Sequence, residues 1–214
     1  EATVVAGGAA GRNGGILRPG SAAFHHDAVA AMGRARAVRI HLLTAEEIHR
    51  IADEAPGTVR FTGSLRLATG DAELADCARQ REAMLADALP VETYAGPLGR
   101  GLLLSDSASF QPLARCRALA RRAIENGALL FEGTRARTIH GNEVTTPRGR
   151  IRCAAVVVAV DGGLETLVPE LSGAVRTARL QMLATAPTHE VTIPCPVSLN
   201  HGFDYAQQLD SGVI

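Results

Sequence analysis

From Ala128 to Val160 the chain alternates short apolar or β-branched runs with turn-forming residues, and this confines what the segment can become. "ALLFEG", "RARTIH", "EVTTP" and "RIRCAAVVVAV" are separated by Gly133, Gly141-Asn142 and Arg148-Gly149. Such spacing leaves no room for helices and predicts a β-meander of hairpin-linked strands. The last run, Ala154 to Val160, is continuously apolar, as expected of a strand buried on both faces of a sheet. It stops at Asp161-Gly162-Gly163.

Upstream the periodicity is helical. Val29, Met32, Ala35, Val38, Leu42, Leu43, Ile48 and Ile51 fall close to three-to-four spacing over 27–54. Thr44-Ala-Glu-Glu47 has the form of a capping box, so this segment is one helix or two. "VRFTGSLRLA" (59–68) predicts β structure with a turn or bulge at Gly63. Residues 71–89 predict an amphipathic helix begun by Asp71, with Leu74, Cys77, Ala78, Met84 and Leu85 as its buried stripe. "GLLLSD" (101–106) predicts a strand, and 112–127 a helix opened by Pro112 and closed by Gly127. From Arg176 onward, "VRTARLQMLATAP" and "FDYAQQL" alternate apolar with polar residues and predict two more strands. The expected class is α/β, or mixed α+β, spread over parts of two domains.

Charge and composition exclude several functions. Lys+Arg and Asp+Glu are both 22, so there is no basic field for nucleic acid or an anionic membrane. All the basic residues are Arg, which with the abundant Ala and Gly suits a GC-rich genome. Cys77, Cys116, Cys153 and Cys195 have neither CxxC spacing nor a histidine at ligand spacing. Free thiols in a reducing cytoplasm are therefore expected, without a metal site. No apolar run approaches the ~18 residues of a membrane span. The chain opens on Glu1 without a signal peptide and stops just after an Asp210-Ser211-Gly212 turn, so a fragment is expected.

The segment "AGGAAGRNGGILRPG" (6–20) has six glycines in fifteen residues around Arg12-Asn13. It is not a dinucleotide fingerprint. Reading GxGxxG from Gly7, Gly8 or Gly11 leaves Ala9 with Arg12, Ala10 with Asn13, or Asn13 with Ile16 at the required glycine positions. A Walker loop needs a lysine, which the chain lacks. What remains open is a loop whose bare backbone approaches a flat or anionic ligand beside Arg12, or a flexible surface loop with a solvated arginine.

With its flanks, "EATVVAGGAAGRNGG" resembles a segment of FAD-dependent oxidoreductases of the D-amino-acid oxidase type. The GRNGG form is most like amine-oxidising members such as γ-glutamylputrescine oxidases. The similarity continues through "GSLRLATGDAEL", the long stretch from Leu102 to Gly163, "ARLQMLATAP" and "YAQQLDSG". It implies a partial FAD-binding, Rossmann-like domain (1–55 and 107–175) with a β-meander. Residues 56–106 and 176–214 would be parts of an antiparallel substrate-domain sheet. By the same resemblance Glu1 would hold the adenosine ribose. Gly11, Arg12, Asn13, Gly14 and Gly15 would pass the pyrophosphate and flavin ring. Ala136 would touch adenine, and Ala159 and Gly162 would bring backbone near the cofactor, although Asp161 departs from the small residue or Asn usual there. The GxGxxG unit and the end of the substrate domain would lie outside residues 1–214, so the chain alone is expected to bind FAD poorly and to be inactive.

The implied reaction is oxidation of a C–N bond in an amine or amino acid, by hydride transfer to non-covalent FAD. Covalent attachment at the loop is unsupported, because Arg12-Asn13 stands where some relatives carry a histidine. Tyr205 and Gln207 share one face of the expected 203–209 strand and are candidates to line the substrate pocket, beside the plainer reading of a half-buried sheet tyrosine. His25 and His26 either approach the ligand or sit on the surface at a helix start. Arg18 and Arg100 are candidates for a substrate carboxylate, with plain exposure the alternative. No strong general base is required of the chain. The competing function is a non-catalytic relative or subunit, working as a binding module alongside a complementary chain.

Overall fold

The computed structural model of the chain describes residues 1–175 and 177–214. They form two compact units. The first comprises Glu1–Arg12 with Cys116–Met182, and the second Asn13–Arg115 with Leu183–Ile214. No helix is long and apolar enough to cross a membrane, among the described residues.

The second unit holds the buried core. Its elements in chain order are β1 (Ile16–Leu17), α1 (His25–Met32), α2 (Arg34–Glu54), β2 (Val59–Arg60), β3 (Ser64–Leu67), α3 (Asp71–Ala86), β4 (Glu92–Gly96), β5 (Gly99–Leu104) and β6 (Ala108–Phe110). Helix α4 (Pro112–Glu125) begins here and continues into the first unit. The first unit then carries β7 (Thr138–His140), β8 (Glu143–Thr146) and β9 (Gly149–Arg152). The second closes with β10 (Val197–Leu199) and β11 (Asp204–Ala206).

A five-stranded sheet in the order β11-β10-β3-β5-β4 organises the core. Only the β10–β3 pair is parallel. Strand β3 is buried along its whole length, and its alternation sorts the residues to two faces. Leu65 and Leu67 pack with Cys195 and Val197 on one face. On the other, Ser64 and Arg66 stand opposite Leu104 and Leu102, which join Phe24, Cys77, Met84, Leu89 and Val91. Each buried leucine contributes about 1.5–3 kcal/mol. A buried arginine among them is tolerated because Arg66 lies 4.3 Å over the Phe24 ring and donates to Gln80 Oε1 at 2.6 Å.

Helix α3 buries Cys77 and Met84 of the expected stripe and leaves Leu74 half-buried. Its inward positions are Glu73, Cys77, Gln80 and Met84, while Ala78 and Leu85 face solvent. The i, i+4, i+7 spacing is right, but two polar residues occupy it to meet polar partners from β3 and the loops. The 27–54 segment is two helices, yet the break is at Gly33 (φ +84°), not at Thr44. Thr44 lies inside α2, where its hydroxyl donates to the Ile40 carbonyl and accepts from Gly20 N–H. Gly63 (φ +68°) likewise divides 59–68 into β2 and β3, which enter different sheets.

In the first unit β7-β8-β9 is the expected meander, turned at Gly141-Asn142 as expected and at Pro147-Arg148, one residue before the expected Arg148-Gly149, because Gly149 already pairs with Thr146. Its surroundings are less regular than the sequence suggests. Residues 128–133 form no strand, although Thr134 N–H and Gly133 N–H donate to the Glu1 and Thr3 carbonyls. Ala154–Val160 is neither a strand nor buried: no strand among the described residues pairs with it, and Val157 is 90% exposed. Apolar composition marked it for a sheet interior, but burial needs neighbours on both sides. Residues 177–187 also lack a strand, and Arg176 lies outside the described residues. The other strand expected in this region is present in shorter form, as β11.

Candidate functional site

The Gly-rich segment folds against its own chain before any ligand is considered. In the first unit, a 3₁₀ turn at Ala9–Gly11 places Gly11 directly over the Ala6 carbonyl, where a Cβ has no room. In the second unit, Asn13 Oδ1 accepts from Gly15 N–H at 3.0 Å and forms a local turn. Gly14 packs against the Tyr205 ring so closely that a Cβ would collide with it. Gly15 (φ +63°) lies against the Phe110 carbonyl, and its own carbonyl accepts from Phe110 N–H. Gln207 Nε2 donates to the Gly14 carbonyl at 2.8 Å. Thus Tyr205 and Gln207 converge on the glycine pair, the tyrosine as a packed wall and the glutamine as a brace.

These contacts shape a cleft of about 420 Å³. Asn13, Gly14, Gly15 and Ile16 form one side, and Ser198, Gly202 and Tyr205 the other; Arg18, Gly20, Ser21 and Ala22 complete it. Among the described residues Arg18 is its one charged lining residue. Its Nη2 donates to Ser198 Oγ at 2.9 Å, and that hydroxyl donates in turn to the Leu65 carbonyl at 3.3 Å. Its Nε atom is buried with no hydrogen-bond partner among the described residues. No acidic residue among the described ones forms an ion pair with it. Burial, and after it the neighbouring Arg66 guanidinium, pull Arg18 down to about 10, still charged at neutral pH. A half-buried cation held in place, with no ion-pair partner among the described residues, suits an anionic group.

The flanking histidines are structural. His25 is buried and meets Asp87 Oδ2 at 2.7 Å, while Arg34 binds the other carboxylate oxygen. Burial by itself raises Asp87, but the hydrogen bonds from His25 and Arg34 outweigh it and hold the carboxyl below its ordinary range. His41 pairs with Asp106 at 2.7 Å. His26 lies 3.3 Å from Asp27. None of the three lines the cleft with Arg18 and Tyr205. Arg100 is exposed on β5 and does not line it either. Among the described residues no group of three or more His, Cys, Asp and Glu side chains is arranged to hold a metal.

The remaining sequence-predicted residues belong to the first unit. Glu1 Oε1 accepts from Thr3 N–H at 3.1 Å. Arg12 and Ala159 are exposed, Ala136 is half-buried, and Gly162 sits against Thr177. Ser198 and Gly202 were missed because nothing local distinguishes them. Their place in the cleft follows from the parallel pairing of β10 with β3, a contact between residues far apart in sequence.

The cleft's residues suit a planar group with an anionic neighbour: side-chain-free backbone at Gly14 and Gly15, an apolar Ile16 and one cation. Comparisons with known proteins bear on the fold and the family. No curated protein sequence matches the chain. Among solved structures, glycine oxidase from Geobacillus kaustophilus superposes with a TM-score of 0.70 at 18% identity, covering 100% of this chain and 61% of its own. L-proline dehydrogenase from P. horikoshii gives 0.61 at 22% identity, covering 79% and 51%. L-amino acid deaminase from Proteus vulgaris gives 0.68 at 16%, covering 100% and 59%. The chain therefore spans about three-fifths of the glycine oxidase, and these likenesses establish its fold. The family model described as DAO, FAD dependent oxidoreductase, matches residues 1–214 throughout, and the chain belongs to that family of flavoproteins.

Proposed function

We propose that the chain serves a flavin-dependent oxidation of a C–N bond, and that its substrate is an amino acid in preference to a simple amine. The observation that carries this reading is Arg18: a half-buried, charged guanidinium held by Ser198 in the cleft beside Gly14 and Tyr205, with no acid among the described residues paired to it. The names of the similar structures, an amino-acid oxidase, dehydrogenase and deaminase, point the same way.

In this reading the bound flavin supplies the hydride acceptor. The residues of the second unit position what is oxidised. Arg18 takes the substrate carboxylate with its free donors, while Ser198 keeps the guanidinium from swinging. Tyr205, seated on Gly14, closes one wall and excludes water from the reacting carbon. Gln207 fixes the Gly14 peptide, so Asn13, Gly14 and Gly15 present a rigid backbone edge. In the first unit Glu1, Gly11, Arg12, Ala136, Ala159 and Gly162 are the proposed contacts to the cofactor's ribose, pyrophosphate, adenine and flavin. Residues 1–55 with 107–175 are the proposed cofactor-binding part, and 56–106 with 176–214 the substrate part.

Substitution of Arg18 tests the assignment. In the flavin-loaded full-length protein, Arg18→Met is expected to raise KM for the best amino acid by about tenfold or more, the effect of losing one charge-assisted pair. Arg18→Lys keeps the charge without the planar fork and should recover part of the loss. An unchanged KM in Arg18→Met would remove the carboxylate from this site.

A further inference from the structure

One wall of the cleft is built from an unusual piece of backbone. Between β10 and β11, Asn200, His201 and Gly202 have φ of +50°, +56° and +91° in succession. Two non-glycine residues in the left-handed region persist only where their surroundings hold them. Internal bonds close the loop: Phe203 N–H donates to the Asn200 carbonyl at 3.0 Å, and Asn200 Nδ2 donates to Asp204 Oδ2 at 3.2 Å. They do not fix where it lies. That role falls to Glu73, in the first turn of α3.

Glu73 is a buried acid, 3% exposed, and it forms no ion pair among the described residues. Its Oε1 accepts from His201 N–H at 2.7 Å. Its Oε2 accepts from Thr69 N–H at 3.0 Å and Thr69 Oγ1 at 2.8 Å, so the carboxylate cannot swing away. The His201 ring meets the Phe24 ring edge-on, centroids 5.9 Å apart, and Phe24 is fixed in the core beneath Arg66. Immediately beyond this anchored residue, Gly202 lines the cleft, flanked by Ser198 and Tyr205 from the same hairpin.

We propose that Glu73 is a positioning residue that sets the width of the cleft: its carboxylate latches the Asn200–Gly202 loop, and the loop's position decides how large a substrate side chain is accepted. This rests on the reading of the cleft as a substrate site. Glu73 touches no substrate itself. It acts through His201 and Gly202, and an acid is suited to the task because one carboxylate accepts from three donors at once.

The test is a specificity profile of the flavin-loaded protein over amino acids of increasing side-chain length, alongside amide hydrogen exchange of residues 199–205. In Glu73→Ala, KM for the preferred substrate should rise about tenfold with kcat little changed, and the preference among side-chain lengths should flatten. Glu73→Gln retains an acceptor oxygen for His201 N–H and should keep the preference. Thr69→Val, at an exposed position, removes the hydroxyl that holds Oε2, and should flatten the profile in part even if Glu73→Ala fails to fold. Faster exchange over 199–205 with an unaltered profile would overturn the proposal. If no amino acid reduces the flavin of the full-length wild type, the functional reading falls. The latch then rests on exchange alone, and unchanged His201 exchange in Glu73→Ala contradicts it.

Discussion

At Gly14 a single hydrogen in place of a methyl group decides the shape of the cleft. A Cβ there would enter the Tyr205 ring, so Gly14→Ala should cost about 1–3 kcal/mol, measured by urea unfolding, and displace the tyrosine. The glycines of 6–20 were legible as a constraint, because only glycine permits such approach. Their partners were not legible, because Tyr205 and Phe110 are remote in sequence. Thiol chemistry is another residue-scale consequence. Burial pushes Cys77 up to about 11 and raises Cys195 as well, whereas Cys116 and Cys153 are partly exposed. A neutral thiol is a poor nucleophile. Titration of the native chain with a thiol reagent should therefore modify Cys116 and Cys153 quickly, and Cys77 and Cys195 only on unfolding.

At the scale of elements, the pattern of side chains located helices and hairpins well and placed their breaks poorly. The meander was legible because its turn residues act locally: Gly141 and Gly149 take positive φ at the corners. The α1–α2 break was not, since Gly33 competes with a capping-box pattern at Thr44 whose hydroxyl is spent on Ile40 and Gly20. Gly33→Ala, forced into φ +84°, should destabilise the chain by about 1–2 kcal/mol in the same unfolding assay. Where α1, α2 and the end of α3 meet, His25 and Arg34 hold Asp87. The folded-state value is depressed, so this contribution is present above the unfolded carboxyl range, near pH 4, and is lost as pH falls through the lower folded value. Stability of the wild type should thus decline below about pH 4 more steeply than that of Asp87→Asn.

For the whole molecule, burial is unevenly shared. Every buried residue among the described ones belongs to the second unit, while the first leaves Leu129 and Val157 at 83% and 90% exposure. Apolar composition alone, as in Ala154–Val160, says that a segment suits an interior and not whether neighbours are there to make one. The cleft was half legible. The Gly-rich loop and Tyr205 stood out by motif and strand position, and Arg18 was visible only as one arginine among many. Its half-buried place against Ser198 and near Arg66 is what separates it from the rest. The central claim is that this cation holds a substrate carboxylate in a flavin-dependent C–N oxidation. Anaerobic mixing of the flavin-loaded protein with an amino acid and with its decarboxylated amine tests it most directly: the amino acid should bleach the flavin at far lower concentration, and equal bleaching by the amine would contradict it.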